Sequence, residues 1–318
     1  MLYYCFYTAL GDAVLGSLDN RSVLKLLFSF NERNCITESI YKILDNKEWN
    51  EISQNALPEE FIRAFRHRVD WECISYGQDL SEEFIREFRY RVDWESISYS
   101  QNLSEDFIRE FLDRVDWKYI SEYQNLSENF IREFRDRVDW GYISREQNLS
   151  EEFIREFRDR VIWIYICIYV TLSEEFIREF RNRVGWYWIS KYQNLSEEFI
   201  REFRNRVDWK CISEYQKLSE KSIRKLQNRV NWYTISRYQK LSEAFIREFR
   251  DKVYWPWISH HQNLSEQFIH EFRDRVDWKW IACYQYQKLS KDFIYEFRHR
   301  DDLRIPKKVP GFGTPFLV

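Results

Sequence analysis

The side chains best equipped for chemistry in this 318-residue chain are its five histidines, six cysteines and dense carboxylates. His260, His261 and His270 form its single histidine cluster. With Cys283 they have the ligand types of a metal centre, but their spacing fits no familiar metal motif, and histidines facing solvent are the expectation. Cys5, Cys35, Cys73, Cys167, Cys211 and Cys283 form no close pair and no CxxC. Neither a disulfide framework nor a zinc site is expected, and a reducing compartment is. Glu82 and Glu87 each have an arginine four residues on, and these pairs recur through the chain. Such repetition marks a scaffold and not an acid/base dyad with separated pKa values. There is no phosphate-cradling glycine loop, GxSxG or HExxH. The residues argue against an enzyme, and no cofactor or metal is implied.

The carboxylates recur because the chain is a tandem array. A leucine opens each copy at 57, 80, 103 and onward to 264, a fixed period of 23, and again at 289 after a two-residue insertion. The clearest copy runs Leu80-Ser81-Glu82-Glu83-Phe84-Ile85-Arg86-Glu87-Phe88-Arg89, then Tyr90-Arg91-Val92-Asp93-Trp94 and on to Ile97-Ser98. Phe84, Ile85, Phe88 and Val92 lie at i, i+1, i+4 and i+8, within one arc of about 100° on a helix. Ser81 is the expected N-cap, Leu80 a staple on Ile85, and Glu82 and Glu83 suit the positive end of the dipole. Asp93 caps a second, shorter helix opened by Trp94, and Asn102 with its equivalents is expected to stop that helix in the left-handed conformation. Each unit therefore reads as a long helix, a corner, a short helix and another corner. Glu82 to Arg86 and Glu87 to Arg91 are read as exposed pairs within one helix, which solubilise more than they stabilise. Of fourteen tryptophans, eleven fall in one column from Trp49 to Trp278, read as a core ladder.

The fold class that follows is all-α: an α-solenoid of ten to eleven tandem two-helix 23-residue repeats with a helical N-terminal cap. Residues 1–48 are assigned to the cap, 49–300 to the array and 301–318 to a non-helical tail rich in Pro and Gly. Residues 1–18 are fairly apolar but contain Asp12 and no Lys or Arg, so a buried end cap is expected there and neither a signal peptide nor a membrane span. The formal net charge is only -3 because acids and bases interleave. No broad basic field for nucleic acid or an anionic membrane is implied.

Invariant positions serve the fold, so a specific function belongs where copies differ. The second residue after each ladder tryptophan reads Cys73, Ser96, Tyr119, Tyr142, Tyr165, Trp188, Cys211, Thr234, Trp257, Trp280. If this column faces out it is a stripe of amphipathic anchors for a protein partner; if it packs on the next unit it is core. The fifth unit departs furthest, with Ile162 at the capping position and Ile164, Tyr165 and Ile168 making an apolar segment too short to span a bilayer. Such a helix is either covered on both sides, replaced by a strand, or left exposed as a docking patch, which Tyr187 and Trp188 would extend. The eighth unit has Ser222 where Phe is expected, with Lys217, Lys221 and Lys225, and reads as a softer joint.

The repeated motif resembles the short tandem repeats of a family of uncharacterised proteins of giant DNA viruses of the mimivirus kind, over about residues 57–300. The resemblance implies a cytoplasmic life in an infected host and a role in protein interaction; it carries over no mechanism. The sequence reading is thus a non-enzymatic scaffold that binds a host or viral protein, or itself, with Tyr119, Tyr142, Ile164, Tyr165, Ile168, Tyr187, Trp188, Trp257 and Trp280 as contacts. The alternatives are nucleic-acid binding along the basic column that includes Arg91, Arg114 and Arg137, which neighbouring acids oppose, and a structural component of a virion.

Overall fold

A computed structural model describes residues 46–281 and 289–297. The first part of the expected cap, residues 1–45, the whole tail and Cys283 lie outside the described residues. The chain divides into two bodies, Met1–Ile162 and Trp163–Val318. Every regular element among the described residues is a helix, and each body is an α-solenoid of two-helix units. In the first body the second helices Trp71–Gly77, Trp94–Ser100, Trp117–Tyr123 and Trp140–Glu146 pack one on the next, and Asn46–Ser53 packs on Trp71–Gly77. In the second body the same succession runs from Trp163–Tyr169 to Trp278–Trp280.

The start signals act as the sequence implies. Ser81 Oγ accepts from the Phe84 amide at 3.2 Å, and Asp93 accepts from the Ser96 amide at 2.9 Å. Phe84, Ile85, Ile97, Leu80 and Val92 are all buried.

The helix lengths differ from expectation. The first helix spans only Glu82–Glu87, and the second, Trp94–Ser100, is the longer of the two. Phe88 leaves helical geometry at φ -106, ψ 24, and its carbonyl accepts from both Arg91 (2.8 Å) and Val92 (3.1 Å). This closed turn carries Val92 back to the core side, so a helix plus turn satisfies the same i, i+8 spacing as a continuous helix. The stop after the second helix also differs: its C-cap is Gln101 in extended geometry (φ -90, ψ 148), and this residue, not a left-handed Asn102, ends the helix.

The glutamine is the joint. Gln101 is buried; its Oε1 accepts from Leu80 N at 3.0 Å, while Nε2 donates to the carbonyls of Ser75 at 3.1 Å and Gln78 at 2.7 Å. The two carbonyls belong to the preceding unit and Leu80 N opens the unit of Gln101 itself, and a buried amide or carbonyl without a partner would cost about 1–3 kcal/mol. Gln124 and, in the second body, Gln216, Gln239 and Gln262 repeat the clamp. Ser75 adds a second tie: its hydroxyl donates to Trp71 O at 2.6 Å and accepts from the next unit's Asp93 amide at 2.9 Å. Glu59 adds a third by accepting from Ser81 N at 2.6 Å, a capping box whose acid comes from the unit before. Burial raises the Glu59 pKa, but the hydrogen bonds from Ser81 and the Arg63 charge outweigh it and hold the carboxyl below its ordinary value.

The tryptophan ladder is not core. Trp94 is half-buried; its ring packs on Phe107 and Phe111 of the next unit with centroids 6.2 and 4.8 Å away. Its Nε1 donates to Arg89 O at 3.0 Å, a carbonyl freed by the end of the first helix. Among the described ladder members only Trp49 is buried.

Candidate functional site

Two arginine columns, one on the first helices and one in the turns that follow them, join neighbouring units. Arg86 pairs with Glu82 in its own helix at 3.4 Å, as expected, but Glu87 pairs with Arg63 of the unit before at 2.7 Å and not with Arg91. The same step joins Arg86 to Glu110 and Arg109 to Glu133, and in the second body Arg178 to Glu202 and Arg247 to Glu271. Single exposed pairs contribute little, about 0.2–1 kcal/mol, yet a column of them fixes the register of the stack. The second column, the basic one set aside for nucleic acid, reaches backward: Arg91 donates to Arg66 O at 2.7 Å and Arg114 to Arg89 O at 3.0 Å. Arg206 and Arg275 do the same in the second body, to the carbonyls of Arg181 and Arg250. The carbonyl taken by each arginine is the one that the ladder tryptophan also caps.

The eighth unit breaks the pattern. Lys225 stands where Glu would receive Arg201, whose Nε donates instead to Glu197 O at 3.3 Å. Ser222 is buried and its hydroxyl donates to Glu197 Oε2. Burial raises the Glu197 pKa, but bonds from Ser222 and Ser219 and the Arg201 charge bring the carboxyl below its usual range.

Variable residues of the second helices are left over once these ties are made. Tyr119, Tyr142, Tyr165, Trp188, Trp257 and Trp280 are all half-buried, while the small members Cys211 and Thr234 are buried. The column is therefore neither fully exposed nor core. Tyr119 lies edge-on to Tyr99 at 5.5 Å, and its hydroxyl donates to Glu95 at 3.3 Å. Arg145 lies over the ring of Tyr142 at 5.0 Å.

The apolar segment of the fifth unit is a helix, Trp163–Tyr169, with no strand. Ile166 and Cys167 are buried, Tyr165 and Ile168 half-buried, and Ile164 is 41% exposed. The helix thus presents an apolar face to solvent. Cys167 takes the place of the joint serine: it receives the Gly185 amide, and burial pushes its thiol up to about 11, which makes it a poor nucleophile. In the next unit Tyr187 is 47% exposed and packs edge-on to Trp188 at 4.8 Å, with Tyr192 6.0 Å beyond. Tyr165 pairs instead with Tyr169 at 6.2 Å, and Trp257 and Trp280 gather around His260 at 5.8 and 4.5 Å.

One exposed column escaped the sequence reading. Tyr123, Tyr169, Tyr192, Tyr215 and Tyr238 stand six residues after the ladder tryptophan and are 44–58% exposed. Their recurrence at that offset was the available signal.

The histidine cluster comes apart. His260 and His261 touch at 4.0 Å, whereas His270 lies on a first helix, 3.4 Å from Glu296. Burial, and then the nearby Arg237 charge, lowers the His260 pKa; burial, His260 and Arg237 lower that of His261. Among the described residues no three His, Cys, Asp or Glu side chains group as a metal site, and no helix is long and apolar enough to cross a membrane.

These features define a tandem helical-repeat protein, an α-solenoid of 23-residue units. Compared with known proteins, the chain matches no family model, no curated protein and no solved structure.

Proposed function

We propose that the protein is a non-enzymatic repeat scaffold that binds another protein, or a second copy of itself, through the variable residues of its second helices. The observation that carries this reading is the division of labour within each unit. The recurrent Gln, Ser, Trp, Arg and Glu side chains are spent on the joints, while Ile164, Tyr187 and the recurring tyrosines of the second helices reach solvent. Clustered apolar and aromatic groups at a surface are the anchors of protein interfaces. The basic column weighs against nucleic acid, because acids of the preceding unit offset its charge: Arg137 pairs with Asp113 at 3.1 Å, Arg160 with Asp136 at 2.6 Å and Arg275 with Asp251 at 2.7 Å. The reading extends to a cytoplasmic setting, where the free Cys73, Cys167 and Cys211 would stay reduced.

The test is the double substitution Ile164→Glu with Ile168→Glu. Loss of self-association by analytical ultracentrifugation, or of partner capture from host-cell lysate, is expected while helical content is kept. If both survive the substitution unchanged, the contact site is wrong.

A further inference from the structure

The second-helix face of the second body carries its own charge signature. Lys191, Lys210, Arg237 and Lys279 on Trp186–Tyr192, Trp209–Tyr215, Trp232–Tyr238 and Trp278–Trp280 stand against a single carboxylate, Glu214. On the second helices of the first body from Trp71–Gly77 onward, Glu72, Glu95, Glu122 and Glu146 outnumber Lys118 and Arg145. The capping positions sharpen the contrast: Asp70, Asp93, Asp116 and Asp139 in the first body become Gly185, Asn231 and Tyr254 in three units of the second, with Asp kept at 208 and 277. Just past these helices the exposed Lys217 and Lys240 replace the asparagines found at 102, 125 and 148. The whole chain carries a net charge of -3, so this strip is not the by-product of a basic protein.

Two of the cations are held in place by rings. Lys191 Nζ lies 5.0 Å from the ring of Tyr192 and 5.5 Å from that of Tyr215; Arg237 lies 4.9 Å from Tyr238 and 4.6 Å from Trp257. Hydrogen bonding to Tyr192 pushes the Lys191 pKa up, so the ammonium stays charged. A pre-positioned cation loses little rotamer freedom when it meets an anion.

We propose that this strip binds an extended, acidic polypeptide segment. Packed helices stand about 8–10 Å apart and an extended chain advances about 3.3 Å per residue, so a carboxylate at every third residue would meet Lys191, Lys210 and Arg237 on three successive units. A single-stranded nucleic acid would need open ring faces for its bases. Here Arg237 lies over Tyr238 and Trp257, and Lys191 over Tyr192 and Tyr215. The assignment rests on the protein-binding reading above and names the partner's chemistry.

The experiment is fluorescence anisotropy on the full chain with a labelled peptide of about fifteen residues, glutamate at every third position and serine elsewhere. Saturable binding that weakens with salt is expected, with no binding of the peptide in which glutamine replaces glutamate. Lys191→Glu with Arg237→Glu should weaken binding about tenfold or more, through like-charge opposition. Lys217→Glu with Lys240→Glu, at exposed connections, should also weaken it, while Lys221→Glu on a first helix should not. The proposal is overturned if the glutamine peptide binds as well, if Lys221→Glu weakens binding as much as the strip variants, or if oligothymidylate displaces the peptide at lower concentration. Should the peptide fail while Ile164→Glu with Ile168→Glu still abolishes association or capture, only the acidic partner is wrong; should both fail, the interaction reading falls as well.

Discussion

The indole of Trp188 lies against Gly185, so close that a Cβ built on Gly185 would come within 2.8 Å of Trp188 Cδ1. Gly185 has φ -82, so its need for glycine is steric and not conformational. Asp70, Asp93, Asp116 and Asp139 hold this capping position in the first body, and Ile162 takes it at that body's end. Asp208 holds it in the unit that follows Gly185, with Cys211 two residues after the ladder tryptophan. The Trp188 ring stands where a side chain at 185 would begin, an arrangement that ring size alone does not force, since Asp277 caps the helix that carries Trp280 at the same offset.

Gly185→Asp should accordingly destabilise the protein by about 1–3 kcal/mol, although aspartate is the favoured cap elsewhere. In the Trp188→Ser background the same substitution should stabilise by about 1 kcal/mol through restored capping. Urea denaturation of the four-member cycle measures the coupling; additive effects would show that the ring and the cap are independent.

Gln101→Leu should cost about 1–3 kcal/mol for each of the two groups left without a partner, Leu80 N and Gln78 O, while the Ser75 carbonyl keeps the Ser100 hydroxyl at 3.1 Å. Amide hydrogen exchange should report faster exchange at Leu80 in this variant. Leu80 exchange as slow as in the parent would mean that the clamp carries nothing.

Ser222→Phe with Lys225→Glu should raise the melting temperature. The first change restores the ring that packs under the tryptophan in other units, as Phe245 does for Trp232, and the second gives Arg201 its acid. A gain of about 1–3 kcal/mol corresponds to burial of one aromatic side chain. Calorimetry showing a lower melting temperature would mean that the Ser222 to Glu197 bond contributes more than the missing ring.

Trp94→Phe keeps the ring but removes the indole N–H that caps Arg89 O at 3.0 Å. Because Arg114 also donates to that carbonyl, the loss should be small, about 0.5–1.5 kcal/mol. Adding Arg114→Met should cost more than the sum of the two single changes, since the carbonyl then loses both donors.

His260 and His261 have pKa values lowered from 6.5 by burial and by Arg237. A base whose folded pKa is depressed favours the folded state fully above its unfolded value, and that contribution fades as pH falls toward the folded pKa. Thermal stability should therefore drop on acidification from about pH 7 to pH 5. The drop should shrink in the His260→Gln, His261→Gln variant; an identical pH profile would remove both residues from the account.

What the letters alone determined was everything that repeats locally. The 23-residue register, the caps at Ser81 and Asp93, and the burial of Phe84, Ile85 and Val92 follow from spacing and hydrogen-bonding capacity within a few residues. Only the tertiary structure decided where the long side chains go. Gln101, Arg91 and Glu87 reach groups 24–26 residues away in sequence that lie one unit away in space. A spacing rule confined to one helix assigns Glu87 to Arg91, whereas the stack offers Arg63 at 2.7 Å. The same holds for the surface: whether Tyr165 or Trp188 is core or exposed depends on how far the neighbouring second helix covers it, and no residue type fixes that distance.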